Sequence, residues 1–209
     1  MEAEKDMNLE SLKRAVSSIC AVMEENRDYL IELDQQNGDG DLGISMCAGF
    51  RGVEKYLNET EETDLGKLMM KCGATFNDCA PSSLGTILSF GFMGMAKPLK
   101  GKSEASFAEF ADAFAAGLER IMQRAESKPG EKTVLDALCP AAEAMKAGAA
   151  GDSGAALQAA AKAAFEGSEN TRNMIAVHGR AARYGEKSLG MLDGGSVAGR
   201  LIIEGIAKA

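Results

Sequence analysis

The chain has 209 residues, a formal net charge of −8 and 45% hydrophobic residues. These totals predict a packed globule, and an acidic surface of this kind repels nucleic acid, so nucleic-acid binding is excluded as a first hypothesis. No apolar run approaches the length of a membrane span, and the first residues, 1–6, are charged rather than apolar. We therefore expect a cytoplasmic protein with no membrane partner.

Apolar residues spaced by three and four predict amphipathic helices along the first half of the chain. The pattern is clear over residues 9–23, 65–72 and 107–121. Ser106 and Glu109 are spaced as a capping box before the third of these helices.

The second half continues the helical pattern. Thr133 is predicted to cap a helix that Pro140 kinks or ends, and residues 155–165 form an alanine-rich helix. Ser196 is predicted to cap the last helix. Strand signals are nearly absent, so we predict an all-α single domain of about eight amphipathic helices over residues 1–209. The predicted breaks between helices fall at Asn37–Gly43, Ala80–Gly85, Lys97–Lys102, Ser127–Lys132, Gly148–Gly154 and Gly185–Gly195.

Cysteine and histidine are too few and too scattered for several common kinds of site. The five cysteines form no C-x-x-C pair, which argues against a disulfide framework or a zinc site and favours core thiols in a reducing compartment. The single histidine, His178, leaves little material for a Ser-His-Asp triad.

The loop Leu33–Gly43 places three aspartates, Asp34, Asp39 and Asp41, among glycines. Carboxylate oxygens are hard ligands suited to Mg²⁺, and glycine lets the backbone turn so that the carboxylates converge. Such a loop has enough charge to hold two metal ions and thereby a triphosphate. From the residues alone, an ordinary Asx-turn loop between two helices explains the pattern equally well.

Two familiar motifs do not fit the chain. Counted from Asn37, an EF-hand would need its glycine at Leu42 and its closing glutamate at Ala48. A P-loop ending at Gly101-Lys102-Ser103 would need glycine in place of Ala96 and a strand before it.

Three further loops have compositions that suit phosphate binding. Ala80–Thr86 opens a helix, whose free N–H groups favour an anion, although an ordinary serine N-cap explains the same residues. The turn Lys128–Thr133 and the stretch His178–Arg183 carry cations, and arginine is a natural phosphate ligand. A solvated surface is the simpler interpretation of both.

Taken in order, these loops resemble the nucleotide-binding (L) subunit of dihydroxyacetone kinases, the DAK2 domain family. The resemblance covers nearly the whole chain, and four motifs in the same order are specific where any one is weak. The motifs are L-D-x-x-x-G-D-x-D-x-G at Leu33–Gly43, an S-x-L-G-T-like stretch at Ser82–Thr86, P-G-x-K-T at Pro129–Thr133 and G-R-A-x-x-x-G-E-x-S-x-G at Gly179–Gly190.

The resemblance implies a barrel of amphipathic antiparallel helices that holds ATP or ADP at one end. It implies that Asp34, Asp39 and Asp41 are ligands of two Mg²⁺ ions, and that these aspartates and Arg180 are the catalytic residues. Arg180 also belongs to the implied nucleotide-binding set, whose other members are Leu42, Gly43, Ser45, Met46, Ser82, Ser83, Thr133, Val134, Asp193 and Gly195.

The resemblance also implies a phosphotransferase that is active only with a partner. A separate substrate-binding K subunit (DhaK-like) would hold a small hydroxyketone, and the phosphoryl donor would be ATP or a protein of the phosphotransferase system (PTS). Two alternatives are a non-catalytic nucleotide-binding or regulatory subunit and a metal-dependent phosphatase, since an aspartate-rich metal site can also activate water.

The chain departs from the family pattern around the nucleotide. Leu42 stands where the family usually has histidine, the serine loop at Cys79–Ser83 is shortened, and Ala125 and Met191–Gly195 replace other family residues. These departures indicate a divergent branch, whose ketose could be a tetrulose rather than dihydroxyacetone.

Overall fold

The structure is a computed structural model that describes residues 7–36 and 38–209. The acidic N-terminal segment 1–6 and Asn37 of the aspartate loop, both used in the sequence analysis, lie outside the described residues. The described part contains no strand, which confirms the all-α prediction. Its α-helices are α1 Leu9–Glu25, α2 Arg27–Gln35, α3 Leu42–Glu59, α4 Leu65–Cys79, α5 Ser83–Leu99, α6 Phe107–Ala125, α7 Leu135–Ala147, α8 Ser153–Asn170 and α9 Gly194–Ala207, with 3-10 helices at Thr171–Asn173 and Ala181–Ser188.

The long helices close into a ring. Contacts run from α1 to α3, then in sequence order through to α9, and α9 returns to α1, while α2 lies against α3. Short loops make neighbouring helices antiparallel, so the N-terminal ends of α3, α5, α7 and α9 gather at one end of the barrel. Among the described helices, none is long and apolar enough to cross a membrane.

The inside of the ring is a continuous apolar core. Its largest fully buried side chains include Phe50, Phe76 and Met145. An apolar cavity of about 260 Å³ lies within the ring, beside Phe92 and Phe110. The core therefore comes from one face of every ring helix, as the predicted amphipathic periodicity requires.

Local signals set most of the helix starts. Ser106 and Glu109 form the predicted capping box of α6, with Ser106 N donating to the Glu109 carboxylate at 2.8 Å. The predicted Ser196 cap of α9 is wrong. Asp193 caps this helix and accepts a hydrogen bond from Ser196 N at 2.6 Å, because an equally good capping residue lies three positions earlier.

The start and the middle of α7 also differ from prediction. Thr133 is not the N-cap residue of the helix, which begins at Leu135 after Val134, although the Thr133 hydroxyl accepts a hydrogen bond from Leu135 N at 3.3 Å. Pro140 does not end the helix, which continues to Ala147. Proline lacks the N–H that would bond the Asp136 carbonyl four residues earlier. The backbone of Gly167 in α8 approaches that carbonyl instead.

One described helix and one cysteine depart from expectation. Asn26, whose side-chain amide donates to the Val22 carbonyl at 2.8 Å, separates α1 from α2 and adds a short helix to the eight expected. All five cysteines are free, as predicted, but Cys79 is exposed rather than part of the core.

Candidate functional site

The three loop aspartates come together at the end of α2 and the start of α3. Asp34 lies in the last turn of α2, Asp41 occupies the N-cap position of α3, and Asp39 lies in the loop between them. One carboxylate oxygen from each lies within 4.8 Å of the other two. This set of hard oxygen donors suits a divalent cation such as Mg²⁺.

The loop is shaped around the Asp34 carboxylate. One oxygen, Oδ2, accepts hydrogen bonds from Gly40 N at 2.8 Å and from Asp41 N at 3.1 Å. A Cβ at Gly38 would lie 2.3 Å from the other oxygen, and Gly40 has a φ of 77°, which favours glycine. The glycines of the motif are therefore required by this fold of the loop, and they leave the carboxylates converged before any ligand binds.

Charge repulsion builds up at the converged carboxylates. Burial raises the pKa of Asp41, and the nearby Asp39 and Asp34 carboxylates raise it further, while Arg180 acts in the opposite direction. The Arg180 guanidinium donates to Asp39 Oδ2 at 2.5 Å, with both side chains about half exposed. A bound cation would relieve the same repulsion, so the charge balance here favours metal binding.

The first turns of α3 support the loop from inside the barrel. All four predicted nucleotide-binding residues there are buried: Leu42, Gly43, Ser45 and Met46. The Leu42 side chain faces the start of α9, where a Cβ on Gly194 would lie 2.8 Å from it. A Cβ on Gly43 would lie 2.2 Å from the Arg27 carbonyl, which explains the glycine. The predicted contact of these four with a nucleotide stays a prediction.

The start of α9 lies beside the start of α7. A Cβ on Gly195 would lie 3.6 Å from Val134 N. Asp193 N donates to Thr171 Oγ1 at 3.1 Å, while its carboxylate caps the helix at Ser196 N. Burial raises the pKa of Asp193 to about 7. Asp193, Gly195 and Val134 are thus brought together, next to the aspartate loop through the contact of Leu42 with α9.

The two serines of the shortened loop lie at the same end of the barrel, at the start of α5. Ser82 caps this helix and accepts a hydrogen bond from Gly85 N at 3.1 Å, and Ser83 is exposed. Among the described residues, no hydrogen bond joins either serine to the aspartate loop. The ordinary N-cap interpretation of Ser82 is therefore confirmed, and a phosphate contact stays a prediction.

The turn before α7 is exposed at Lys128–Gly130, as the simpler interpretation of its sequence expects, but its end is buried at Lys132. The Asp136 carboxylate accepts hydrogen bonds from Gly130 N at 2.6 Å and from Thr133 N at 2.7 Å. Lys132 is only 3% exposed, and its ammonium contacts the segment between α8 and α9. Sequence reasoning missed both residues, because the P-G-x-K-T motif marks the turn without indicating which side chain points inward.

The family is decided by comparison with known proteins. Residues 36–208 match the model of the DAK2 domain. The chain belongs to the DAK2 domain family. It is 33% identical, over 90% of its length and 91% of the relative, to the ADP-binding subunit DhaL of PEP-dependent dihydroxyacetone kinase 2 from Listeria innocua.

Two more distant matches cover longer proteins. The chain is 26% identical to L-erythrulose 1-kinase of Mycolicibacterium smegmatis, over 96% of the chain and 35% of that protein. The crystal structure of the dihydroxyacetone kinase from C. freundii with AMP-PNP and Mg²⁺ superposes with a TM-score of 0.73 at 24% identity, over 94% of the chain and 33% of that enzyme. The chain therefore spans about a third of both proteins, and the second match shows the shared helical fold.

Proposed function

We propose that this chain holds a magnesium–nucleotide complex as the nucleotide subunit of a kinase for small hydroxyketones. The observation that supports this most directly is the cluster of Asp34, Asp39 and Asp41, with Arg180 on its rim. Three carboxylates and one guanidinium leave a local excess of negative charge, so phosphates need metal ions to bind there. Membership of the DAK2 domain family supports a nucleotide site here over an ordinary turn.

The proposed chemistry is in-line phosphoryl transfer, in which positioning and charge neutralisation supply most of the catalysis. The three aspartates would hold two Mg²⁺ ions, which when bound neutralise charge on the phosphates. Arg180 adds a fixed positive charge beside the transferring group. The whole chain, 1–209, would act as one nucleotide-binding domain in the cytoplasm.

The hydroxyketone would be held by a separate DhaK-like subunit, so the chain alone should not phosphorylate it. The relative from Listeria innocua is named as a subunit of a kinase, which supports a partner of this kind. The relative from Mycolicibacterium smegmatis is named for L-erythrulose, a four-carbon ketose, which supports a tetrulose as substrate.

A second candidate function differs in whether the nucleotide is a substrate or a bound cofactor. The relative from Listeria innocua is named ADP-binding and PEP-dependent, and the match spans nearly its full length. This supports a subunit that retains ADP as a cofactor and receives its phosphoryl group from a PTS-type donor protein. An ATP-dependent kinase must release ADP in every cycle, whereas a cofactor site holds it, so the rate of ADP exchange separates the two candidates.

Calorimetric titration of ADP, with and without Mg²⁺, tests the proposal. For the wild type we expect Mg²⁺-dependent binding, and Asp39→Asn should weaken it by about 100-fold or more. Even partners that only orient a metal's ligands are worth about 10–100-fold in metal affinity. Asp28→Asn is the matched control, since Asp28 is exposed in the first turn of α2 and should leave the affinity unchanged.

Equal ADP affinity with and without Mg²⁺, or in Asp39→Asn and the wild type, would refute the aspartate site. Release of phosphate from ATP without any partner would instead support the metal-dependent phosphatase alternative.

A further inference from the structure

A buried lysine joins the turn before α7 to the segment between α8 and α9. The Lys132 ammonium donates to the carbonyls of Thr171 and Ser188 at 2.8 Å, Met191 at 2.6 Å and Met174 at 3.2 Å. All four acceptors belong to residues 171–191, which lie 39 to 59 positions further along the chain. One side chain thus binds four carbonyls that lie far apart within that segment.

The segment 171–191 has little regular structure of its own. It contains two short 3-10 helices and exposes large apolar side chains, Val177 and Leu189 among them. Within the segment, Gly190 N donates to the Arg172 carbonyl at 2.7 Å, and Ser188 accepts from Ala176 N at 2.9 Å and donates to the Gly185 carbonyl at 2.6 Å. A segment with so little regular structure depends on its anchors to the rest of the protein for a defined position.

The position of Lys132 indicates that the contact is specific. Its φ of 61° lies in the left-handed region, which a non-glycine residue adopts only when the surroundings hold it there. Burial lowers the pKa of its ammonium, and the nearby Asp193 carboxylate acts in the opposite direction. The ammonium has three N–H groups for these four carbonyls, whereas a neutral amine has only two, so the charged form suits this environment better.

The segment held by Lys132 also carries Arg180, whose guanidinium reaches Asp39 across 141 residues of sequence. We propose that Lys132 is a positioning residue. It fixes where segment 171–191 lies relative to the aspartate loop, so that Arg180 on this segment reaches Asp39. Its ammonium is buried and enclosed by protein carbonyls, so it acts on a nucleotide only through Arg180. This inference rests on the proposed function for the role of Arg180 in Mg²⁺–ADP binding.

A double-mutant cycle with Mg²⁺–ADP as ligand tests the proposal. Dissociation constants are measured for the wild type, Lys132→Met, Arg180→Ala and the double variant, below the melting temperature of all four. We expect Lys132→Met to weaken binding by about tenfold in the wild type, the worth of a charge-assisted contact, and to have almost no effect when Arg180 is already absent. Losses that multiply in the double variant would overturn the proposal.

Two further variants serve as a control for a surface lysine and as a replacement if Lys132→Met does not fold. Lys187→Met changes an exposed lysine of the same segment and should leave the affinity unchanged. If Lys132→Met does not fold, Lys132→Arg takes its place in the cycle. It keeps the charge but presents a planar fork that matches four carbonyls less well, so we expect a smaller loss with the same dependence on Arg180. An Arg variant whose loss is independent of Arg180 would also overturn the proposal.

Amide hydrogen exchange separates this inference from the proposed function. In the variant of Lys132 that folds, exchange should accelerate across 171–191 while α6 stays protected. Unchanged exchange in 171–191 would overturn the positioning role. If Arg180→Ala binds Mg²⁺–ADP as tightly as the wild type, the nucleotide role of Arg180 in the proposed function fails, and hydrogen exchange still decides whether Lys132 positions the segment.

Discussion

At the scale of single residues, the site is a balance of charges held close together. One carboxylate oxygen of Asp34 accepts hydrogen bonds from the backbone of the loop. Its other oxygen and the carboxylates of Asp39 and Asp41 remain for a cation. Arg180 pairs with Asp39 at the exposed side. The buried Asp193 carboxylate lies just behind this group and adds to the same negative field.

The raised pKa of Asp193 predicts a pH-dependent cost to stability. Burial, the largest cause, raises its pKa from 3.8 to about 7, so the folded protein binds a proton more tightly than the unfolded chain does. Stability should therefore fall as the pH rises from about 4 to about 7. Asp193→Asn keeps a capping side chain and removes this titration. Relative to the wild type, its melting temperature should rise by roughly 5 °C or more between pH 5 and pH 8, measured by calorimetry.

The matched control is Asp64→Asn, a helix cap at the other end of the barrel whose carboxyl has a lowered pKa. Between pH 5 and pH 8 its difference from the wild type should stay constant, because this carboxyl is ionised over that range in both the folded and the unfolded protein. A gap for Asp193→Asn that stays constant from pH 5 to pH 8 would contradict the prediction.

At the scale of helices, the barrel depends on a few places where two backbones touch. The α7–α8 pair is the clearest, since Pro140 leaves the Asp136 carbonyl without its helical partner and Gly167 packs against that carbonyl. The first turn of α7 lies next to the start of α9, and the residues just before it contact the segment held by Lys132. The close approach of α8 therefore helps to fix the nucleotide end of the barrel.

Gly167→Ala should destabilise the protein, although alanine normally favours a helix over glycine by about 1 kcal/mol. The new Cβ would lie 2.1 Å from the Asp136 carbonyl oxygen, and backbone cannot give way as a flexible side chain does. We expect a loss of about 2 kcal/mol, typical of overpacking, in urea unfolding.

Gly154→Ala in the exposed first turn of the same helix is the control. Its Cβ would meet only the Asp152 side chain, at 3.2 Å, and the stability should change by less than about 0.5 kcal/mol. Equal stability of Gly167→Ala and the wild type would show that α8 can move away from α7 without cost.

At the scale of the whole molecule, closure of the ring makes one core from the ring helices. The last helix, α9, packs against the first, α1, and also against α7 and α8. Contacts between the two ends of the chain must therefore form before the core is complete. A single closed core of this size favours cooperative unfolding over the separate melting of individual helices.

The thiols report this cooperativity. Burial raises the pKa of Cys20, Cys47 and Cys72 to about 12, so their reactive thiolates are scarce in the native state. Cys79 is exposed and should react at once with a thiol reagent. The three buried thiols should react only as the whole protein unfolds, along a urea curve that coincides with loss of helical circular dichroism.

Cys79→Ser is the control, and it should remove the fast phase and leave the slow phase intact. Reaction of the buried thiols well below the unfolding midpoint would show that part of the ring opens independently.

Much of this protein can be predicted from local sequence. Apolar spacing predicts the helices, the Ser106 and Glu109 pair predicts the start of α6, and the aspartates and glycines of Leu33–Gly43 predict a converged loop. Each of these depends on residues a few positions apart, whose geometry is set by the helix repeat or by turn preferences. The order of the four motifs was enough to indicate the family that the comparisons confirm.

Only the tertiary structure decides which polar residues are buried and which distant partners they meet. Arg180 reaches Asp39, and Lys132 is enclosed by carbonyls of 171–191. No local pattern distinguishes Lys132 from a solvated lysine, because its burial is created by a segment that lies at least 39 positions away in the chain. The sequence alone thus determined the helices and the loop of aspartate ligands. The tertiary structure determined which charged side chains surround that loop, because the closed ring brings distant segments together.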